Sequence, residues 1–427
     1  MTVAGSKKFY GWWIVAGGFI LFFFGIGLAI NTVGIFIEEV VSTLHFKRGD
    51  FSLFFSIAAI TMMLGAIVVG KLIEKIDIRL IMGVGTVLFT LGILLYSQCR
   101  TLAQFYSVSL LLGIGSAGTH VIPVTTMINN WFVKKRGLAM GIVFAGTGIG
   151  GLVLNPFVTW LIERNFLNME FGWQGAYIIS GIIAGIFIIP TALFVMKKTP
   201  AEMGQFPDGI EGQEVEEASG EGLTVGESVK TSMFWFVAIM ALLFSVVNMG
   251  INQHLFPYLN ADVGFSKGVA AMVVGSYLGM TVLGKVTIGA LSDRKGLAFS
   301  VSLFVAIVLA GIAVLTKVNV LWLAVVFVVV FGFGNVIQTV VPPLMAAHCF
   351  GLKQYGLIYG IISIFMTIGS GIGTPLSGYI RDNTGSYHGA FYLYMGLLAT
   401  GLIIALLALK QAEKRIEIEA TAYSDVN

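Results

Sequence analysis

The stretch GIGSAGTHVIP at residues 113–123 is matched 219 positions later by GFGNVIQTVVP at residues 332–342. The same offset brings Pro123 onto Pro342 and Pro156 onto Pro375. The chain contains only nine prolines, so two coincidences at one offset indicate a tandem duplication. Glycines repeat at the same offset, with Gly70, Gly113, Gly115, Gly137, Gly141 and Gly150 falling on Gly289, Gly332, Gly334, Gly356, Gly360 and Gly369.

The two copies lie in a chain that is unusually apolar. Of its 427 residues 57% are hydrophobic and 11% are charged, whereas soluble domains carry roughly 25% charged residues. The apolar residues form runs of about 20, the length that crosses a ~30 Å hydrocarbon core as a helix, and they lack the alternation of barrel strands. We predict an all-α polytopic membrane protein with twelve spans, at 10–37, 51–73, 80–99, 105–131, 137–162, 174–196, 232–259, 268–291, 297–316, 320–346, 355–380 and 388–409.

The distribution of lysine and arginine predicts the orientation in the membrane. With both termini cytoplasmic, the loops and tails on the cytoplasmic side carry 17 of these residues and those on the other side carry seven. Positive residues concentrate on the cytoplasmic side of membrane proteins. We therefore expect both termini inside, in the cell (inner) membrane. The net charge of +3 follows from this topology and indicates no nucleic-acid partner.

A polar, acidic segment at residues 197–230 divides the chain. It has no hydrophobic period, so we expect a flexible cytoplasmic linker between six-helix bundles at 1–196 and 231–409, followed by a cytoplasmic tail at 410–427. A duplication of six spans keeps the same orientation in both copies, which predicts two pseudo-symmetric bundles with a substrate cavity between them near the membrane midplane. We expect a monomer in the lipid bilayer.

Two loops related by the 219-residue offset carry a further signal, GKLIEKIDIR at 70–79 and GALSDRKGLA at 289–298. They resemble the signature G-x-L-x-D-R/K-x-G-R/K-R/K of the major facilitator superfamily, which implies its twelve-helix fold. The first loop departs from the pattern at Glu74 and at Asp77. The resemblance implies a cytoplasmic gate in which a carboxylate and cationic neighbours latch the bundles, whereas the alternative is ordinary positive-inside charge. The candidate gating residues are Asp293, Arg294, Gly289, Gly70, Glu74, Lys75 and Arg79.

A narrower resemblance rests on FYGWWIVAGGFILFFF at 9–24, NNWFVKKRGLAMGI at 129–142 and the eighth span. These look like the branch that holds monocarboxylate transporters and oxalate–formate antiporters. That branch has a basic residue on the eighth span, four residues before the loop-opening glycine, and here the position holds Lys285 before Gly289. A second cation, frequent on the first or eleventh span, is absent from 10–37 and 355–380, which puts dicarboxylates in doubt.

Polar residues inside the spans are the candidates for substrate binding, since such residues are costly in lipid and usually face a cavity or a partner helix. Tyr277, Thr281 and Lys285 recur at four-residue spacing and therefore share one helix face. Each candidate has a plainer alternative: hydrogen bonding between helices for the amides and hydroxyls, a structural histidine, and snorkelling of Lys285 toward the interface. The candidates are Lys285, Tyr277, Thr281, His120, Asn31, Asn248, Asn252, Asn335 and Gln338.

Several classes of function are disfavoured. No Asp or Glu lies well inside a predicted span, and residues 148–160 lack the Gly-Pro-x-x-Gly-Gly pattern, so export of cationic drugs is disfavoured. The segment AGTGIGG at 145–151 lacks the flanking elements of a phosphate-binding loop. Cys99 and Cys349 show no metal or redox spacing. We expect no cofactor, no metal and no enzymatic activity.

The function predicted is secondary transport of a small organic anion, specifically a monocarboxylate, coupled to a proton or to an exchanged anion. A cation on the eighth span without a membrane carboxylate to neutralise it favours this hypothesis. Two alternatives stay open: a receptor or sensor that binds without transporting, and a transporter of another small solute such as a drug or a sugar.

Overall fold

The computed structural model describes residues 9–73, 75–133, 135–210, 222–351 and 353–424. Over these residues twelve helical segments are long and apolar enough to cross a membrane, and no β-strand is present beyond one isolated bridge between Gly222 and Gly351. The predicted all-α, twelve-helix fold is confirmed. The helices are α1 (Gly11–Leu44), α2 (Arg48–Leu72), α3 (Ile78–Tyr96), α4 (Leu102–Trp131), α5 (Arg136–Arg164), α6 (Gly172–Val195), α7 (Ser232–Asp262), α8 (Lys267–Lys295), α9 (Leu297–Leu315), α10 (Leu321–Phe350), α11 (Tyr355–Thr384) and α12 (His388–Ser424).

The helix bounds follow the offset found in the sequence. Pro156 lies 20 residues after the start of α5, and Pro375 lies 20 residues after the start of α11. The duplication therefore extends from the sequence to the lengths of the helices. Four pairs of helices begin 219 residues apart, at Arg48 and Lys267, Ile78 and Leu297, Leu102 and Leu321, and Arg136 and Tyr355.

The α1 and α4 helices are locally irregular. The α1 helix widens into a π-helical stretch at Phe22–Asn31, a form that is rare and frequent at functional sites. The α4 helix is interrupted at His120, whose backbone is non-helical with φ −104° and ψ −101°. Pro123 explains the interruption, because a proline ring collides with the carbonyl four residues earlier, here that of Thr119.

By its internal contacts the chain divides into two units, Met1–Val33 with Ile60–Glu216, and Gly34–Ala59 with Glu217–Asn427. In the first unit, α3 and α4 approach closely at Gly85 and Gly118, where an added β-carbon on either residue would meet the backbone of the other helix. The α1 and α5 helices meet in the same way at Gly146 and Gly150. Small residues of this kind let membrane helices pack by backbone contact.

The second unit is organised around α7, most of which is buried. Gly369 and Gly373 of α11 lie against the backbone of α7, and Gly250 of α7 lies against the hydroxyl of Tyr394 of α12. This unit also contains residues 34–59, which are the end of α1 and the first half of α2. The end of α1 contacts α7 at Gly34, beside the carbonyl oxygen of Gln253.

The first part of the acidic segment contacts the end of α4 within the first unit. The indole nitrogen of Trp131 donates to the carbonyl oxygen of Lys197 at 2.8 Å, and Asn130 Nδ2 donates to that of Lys198 at 3.0 Å. Asp208 Oδ2 accepts from the backbone N–H of Val133 at 2.9 Å. Residues 197–210 are therefore hydrogen-bonded to the end of α4, and residues 211–221 lie outside the described residues.

Candidate functional site

The second unit holds a network of buried polar side chains that joins three helices. On α7, Asn248 and Asn252 are one turn apart and face different partners. Asn248 Nδ2 donates to Oδ1 of Asn335 on α10 at 3.0 Å. The Tyr277 hydroxyl of α8 donates to Asn252 Oδ1. Four of the predicted residues are thus brought together, and α7 is the helix that connects them.

Lys285 lies on α8, two helical turns beyond Tyr277, and its side chain is partly exposed. Its ammonium group has no hydrogen bond and no ion pair within the described part of the chain. Thr281, between the two, donates to the carbonyl oxygen of Leu278 at 2.7 Å and so satisfies its own hydroxyl within the helix. Gln338 is buried on α10, three residues beyond Asn335. The arrangement leaves a charged donor with its hydrogen-bonding capacity unused.

The two candidates in the first unit have separate surroundings. Asn31 Nδ2 donates to the carbonyl oxygen of Thr147 on α5 at 2.7 Å, so this amide holds α1 to α5. His120 is 2% exposed, and its ring lies between Phe22 of α1 and Phe89 of α3. His120 Nδ1 lies 3.1 Å from the carbonyl oxygen of Ser116. The Nε2 atom of His120 is buried without a hydrogen-bond partner among the described residues.

The first of the two predicted gating loops is partly described. Glu74 lies outside the described residues, and Lys75 is exposed. Asp77, which departs from the family signature, caps α3 by accepting from the backbone N–H of Arg79 at 2.9 Å. The Arg79 guanidinium pairs with Glu202 in the segment that follows α6. This loop therefore connects to the start of the acidic segment through Arg79.

The second loop follows the end of α8. Arg294 is exposed there, and Gly296 ends the helix with φ +84°, a value that favours glycine. The side chain of Asp293 lies outside what the structure describes. An added β-carbon at Gly70 or at Gly289, the glycines that open the two loops, would meet nothing within 4 Å. Both glycines have open space beside them.

The predictions missed a cluster of charged and polar residues in the second unit, at the start of α2. Arg48 pairs with Glu38 of α1 at 2.7 Å, and Lys267 pairs with Glu39 at 2.5 Å. The backbone N–H of Gly49 donates to Asp382 Oδ2 at 2.8 Å. The cluster thus ties the end of α1 and the start of α2 to α8 and α11. Two adjacent glutamates at the end of an apolar run were the sequence signal available for it.

His254 lies beside this cluster and is fully hydrogen-bonded. Its Nε2 atom lies 2.8 Å from the carbonyl oxygen of Thr374 and 3.3 Å from Ser52 Oγ. Its Nδ1 atom lies 2.9 Å from the Tyr387 hydroxyl. A carbonyl oxygen can only accept, so Nε2 carries the proton and Nδ1 accepts from Tyr387. The geometry accounts for His254 as a structural residue that joins α7 to α2 and α11.

The described residues contain no group of three or more His, Cys, Asp or Glu side chains placed to hold a metal ion. Both cysteines are free and buried. Burial raises the pKa of the Cys99 thiol to about 11, so this thiol is protonated and unreactive at neutral pH.

Comparison with known proteins agrees with the helical membrane fold and indicates which protein family the chain resembles. A family model described as Major Facilitator Superfamily matches residues 17–348 and residues 240–422. The chain is 26% identical over 403 residues to MFS transporter asaE of Aspergillus flavus, covering 91% of this chain and 84% of that protein. It is 25% identical over 441 residues to monocarboxylate transporter 12 of Mus musculus, and the alignment covers 96% of this chain and 87% of that protein.

A third relative is monocarboxylate transporter 13 of Rattus norvegicus, which is 24% identical over 395 residues and covers 92% of this chain and 87% of that protein. Among solved structures, the chain is similar to a bacterial homologue of the human lysosomal transporter Spinster in an inward-facing, unoccupied conformation. The TM-score is 0.70 at 15% identity, with 96% of each chain covered. At that identity the similarity establishes the fold alone.

Proposed function

The chain belongs to the Major Facilitator Superfamily, and from this membership we propose that it transports a small organic anion, a monocarboxylate, by alternating access. Transport is coupled to a proton or to an exchanged anion. In this proposal the six-helix halves at 1–196 and 231–409 are the two moving bodies, the termini and the segment 197–230 face the cytoplasm, and the protein acts as a monomer in the cell (inner) membrane.

The observation that carries the proposal is the unpaired ammonium group of Lys285. A lysine within a membrane span costs roughly 2.5–3.5 kcal/mol on insertion scales, so such residues commonly have a partner or a function. Lys285 lies seven residues before Ser292, the end of the span, which is about 10 Å at ~1.5 Å per residue. Within the described part of the chain no carboxylate pairs with it. A substrate carboxylate is the partner that would neutralise it.

The polar network on α7, α8 and α10 supplies the uncharged hydrogen-bonding groups of the proposed site. Asn248, Asn252 and Asn335 present amide groups that are held by hydrogen bonds within the unit. Tyr277 is fully buried and its hydroxyl is used by Asn252, so Tyr277 acts by fixing that amide. Lys285 lies eight residues along α8 from Tyr277, about 12 Å at ~1.5 Å per residue. One charged donor and a few oriented amides at this separation are suited to a single carboxylate and its small substituent.

The named relatives support the choice of substrate class. Two of the similar proteins are named monocarboxylate transporters, and the alignments with them cover more than nine-tenths of this chain. At 24–25% identity the relatives leave the particular acid open. We therefore propose the class of small monocarboxylates and leave its member to a screen.

The experiment is flux into proteoliposomes that contain the purified protein. Radiolabelled formate, lactate and pyruvate are the probes, with either an imposed pH gradient or a high concentration of the same unlabelled acid inside. We expect saturable uptake of at least one probe that exceeds uptake into protein-free liposomes. Binding of a probe without flux would instead identify a receptor or sensor, and neither binding nor flux would point to another solute.

We also propose that the loops at 70–79 and 289–298 form the cytoplasmic gate. Asp293→Asn removes the carboxylate at the end of α8, and a mutation that removes contacts of one state shifts the population toward the other. We expect single cysteines placed on the cytoplasmic side to label faster with a maleimide in the variant. Glu227→Gln, which changes an exposed acid before α7, is the matched control. Equal labelling rates in Asp293→Asn and wild type would contradict the gate.

A further inference from the structure

His120 occupies an irregular point of the first unit. It interrupts α4 between two helical segments, Leu102–Thr119 and Val121–Trp131. Its ring projects toward the π-helical stretch of α1, where any β-carbon at residue 25 would overlap Nε2, so Gly25 is required for the ring to fit. The proposed anion site does not use this histidine.

The hydrogen bonding of the ring fixes its tautomer. His120 Nδ1 lies 3.1 Å from the carbonyl oxygen of Ser116. A carbonyl oxygen accepts and cannot donate, so Nδ1 carries the proton of the neutral imidazole. The lone pair therefore lies on Nε2. His254 in the other unit has the opposite tautomer, because there it is Nε2 that meets a carbonyl oxygen.

The lone pair of His120 is unused. Nε2 is buried and has no hydrogen-bond partner among the described residues. Leaving a buried acceptor unsatisfied costs about 1–3 kcal/mol. Its neighbours, Phe22 and Phe89, contribute ring faces and edges and no donor. Gly25 approaches the ring so closely that an added β-carbon there would overlap Nε2.

Among the described residues, no charged group of α1, α3 or α4 lies near the ring in the chain. The α4 helix contains no charged residue, and α3 contains only Arg79, ten residues from Phe89. On α1 the nearest charged residue is Glu38, thirteen residues beyond Gly25. The nearest other titratable group on α3 is Tyr96, whose hydroxyl lies 2.7 Å from Ser109. A protonated His120 would therefore be an uncompensated charge in an apolar site, which is strongly unfavourable.

We propose that Nε2 of His120 is the proton-binding site that couples transport to the proton gradient. The inference rests on the proposed function, in which the coupling ion was left open between a proton and an anion. An N–H bond forms at Nε2 when His120 meets water on one side of the membrane, and the same bond breaks on the other side. In the buried state described here the imidazole is neutral.

The coupling follows from the cost of burying charge. Burial of the imidazolium alone is unfavourable, whereas burial together with a substrate anion adds no net charge to the carrier. The carrier that takes up a proton therefore reorients more readily with an anion bound. Exchange of one anion for another needs no change in protonation, so it does not depend on His120.

Nuclear magnetic resonance tests the proton site without any transport substrate. The chain has five histidines, and labelling them with ¹⁵N in nanodiscs distinguishes the two neutral tautomers. We expect one resonance pair of the Nδ1–H form that disappears in His120→Gln and that becomes imidazolium reversibly between pH 8 and pH 4. A signal of the Nε2–H form at His120, or no titration in this range, overturns the proposal.

Transport tests the coupling. With lactate as the probe, we expect His120→Gln to lose at least tenfold of the uptake driven by a pH gradient while keeping lactate–lactate exchange within about twofold of wild type. His388→Gln is the matched control and should keep both. Undiminished gradient-driven uptake in His120→Gln overturns the proposal. If wild type moves none of the three acids, the proposed function fails, and the resonance experiment still decides the proton site.

A pair of compensating substitutions at residues 25 and 120 separates loss of proton coupling from loss of folding. Gly25→Ala should be misfolded or much less stable, because the new β-carbon overlaps the imidazole. The double variant Gly25→Ala/His120→Ala removes the overlap and should recover a wild-type melting profile. We expect the double variant to exchange lactate and to lack gradient-driven uptake. Gradient-driven uptake in this well-folded variant would count against His120 as the proton site.

Discussion

Replacement of Lys285 by glutamine tests the anion site most directly. The substitution keeps a polar side chain of similar reach and removes the charge. A unit charge pair at about 4 Å is worth roughly 4 kcal/mol at an effective dielectric constant of 20. Part of this is lost in desolvating a lysine that is only partly exposed. Charge-assisted hydrogen bonds retain about 1.5–3 kcal/mol net, so we expect a loss of about 2–3 kcal/mol.

This loss corresponds to a dissociation constant roughly 30- to 150-fold weaker, since about 1.4 kcal/mol is a factor of ten. Lys285→Arg keeps the charge but replaces a compact ammonium by a planar fork, and we expect it to bind within about tenfold of wild type. The assay is calorimetric or thermal-shift titration of the purified protein with formate, lactate and pyruvate, followed by proteoliposome flux with the tightest of the three.

Lys317→Gln makes the same chemical change at an exposed position in the loop between α9 and α10. It should leave the dissociation constant unchanged within twofold, which separates the site effect from a general effect of net charge. If Lys285→Gln binds and transports the probe as well as wild type, the anion-site hypothesis is wrong. Lys285 then extends its stem toward the interface and holds its ammonium group in water.

Three further predictions concern Tyr277 and Arg48 in the second unit and the thiol of Cys99 in the first. Tyr277→Phe leaves Asn252 Oδ1 without its donor, so we expect about fivefold weaker probe binding, from ~1 kcal/mol for one net hydrogen bond; binding unchanged by titration would contradict the positioning role. Arg48→Gln breaks a largely buried ion pair and should cost about 3 kcal/mol, seen as a melting temperature lower by several degrees. The exposed pair of Arg100 with Glu170 is the comparison, since Arg100→Gln should cost below about 1 kcal/mol. Because the pKa of Cys99 is raised to about 11, it should label with maleimide slowly at pH 7 and faster as pH rises, by mass spectrometry; fast labelling at pH 7 would refute its burial.

The fold could be predicted from the sequence because each span is a local pattern. A run of about twenty apolar residues needs no partner to be recognised, and the prolines at a constant offset order the spans into two copies. The end of α1 is the instructive exception. The apolar run stops before Glu38, and the span was predicted to end at residue 37, yet the helix continues to Leu44. Arg48 and Lys267 neutralise Glu38 and Glu39, which lets the helix continue past its apolar run.

The partners within the candidate site could not be predicted in the same way. Four-residue spacing places Tyr277, Thr281 and Lys285 on one face of α8, but it does not show where that face points. The structure separates the three: Tyr277 is fully buried against Asn252, Thr281 bonds to its own helix, and Lys285 keeps its ammonium group unpaired among the described residues. Contacts between distant parts of the chain decide these differences, and no local pattern encodes them.

The charge on Lys285 also bears on how the proposed carrier would turn over. With a monocarboxylate bound, the ammonium group and the anion neutralise each other, and the carrier can reorient without burying net charge. The empty carrier must reorient with the ammonium group alone, and moving an unpaired charge through a low-dielectric region is costly. When His120 also holds a proton, the loaded carrier has the same net charge as the empty one, so symport carries one uncompensated positive charge in both directions. Exchange of one anion for another keeps Lys285 paired with an anion in both directions of reorientation, and it avoids the costly step of the empty carrier. A carrier with this one cation should therefore exchange anions faster than it accumulates them.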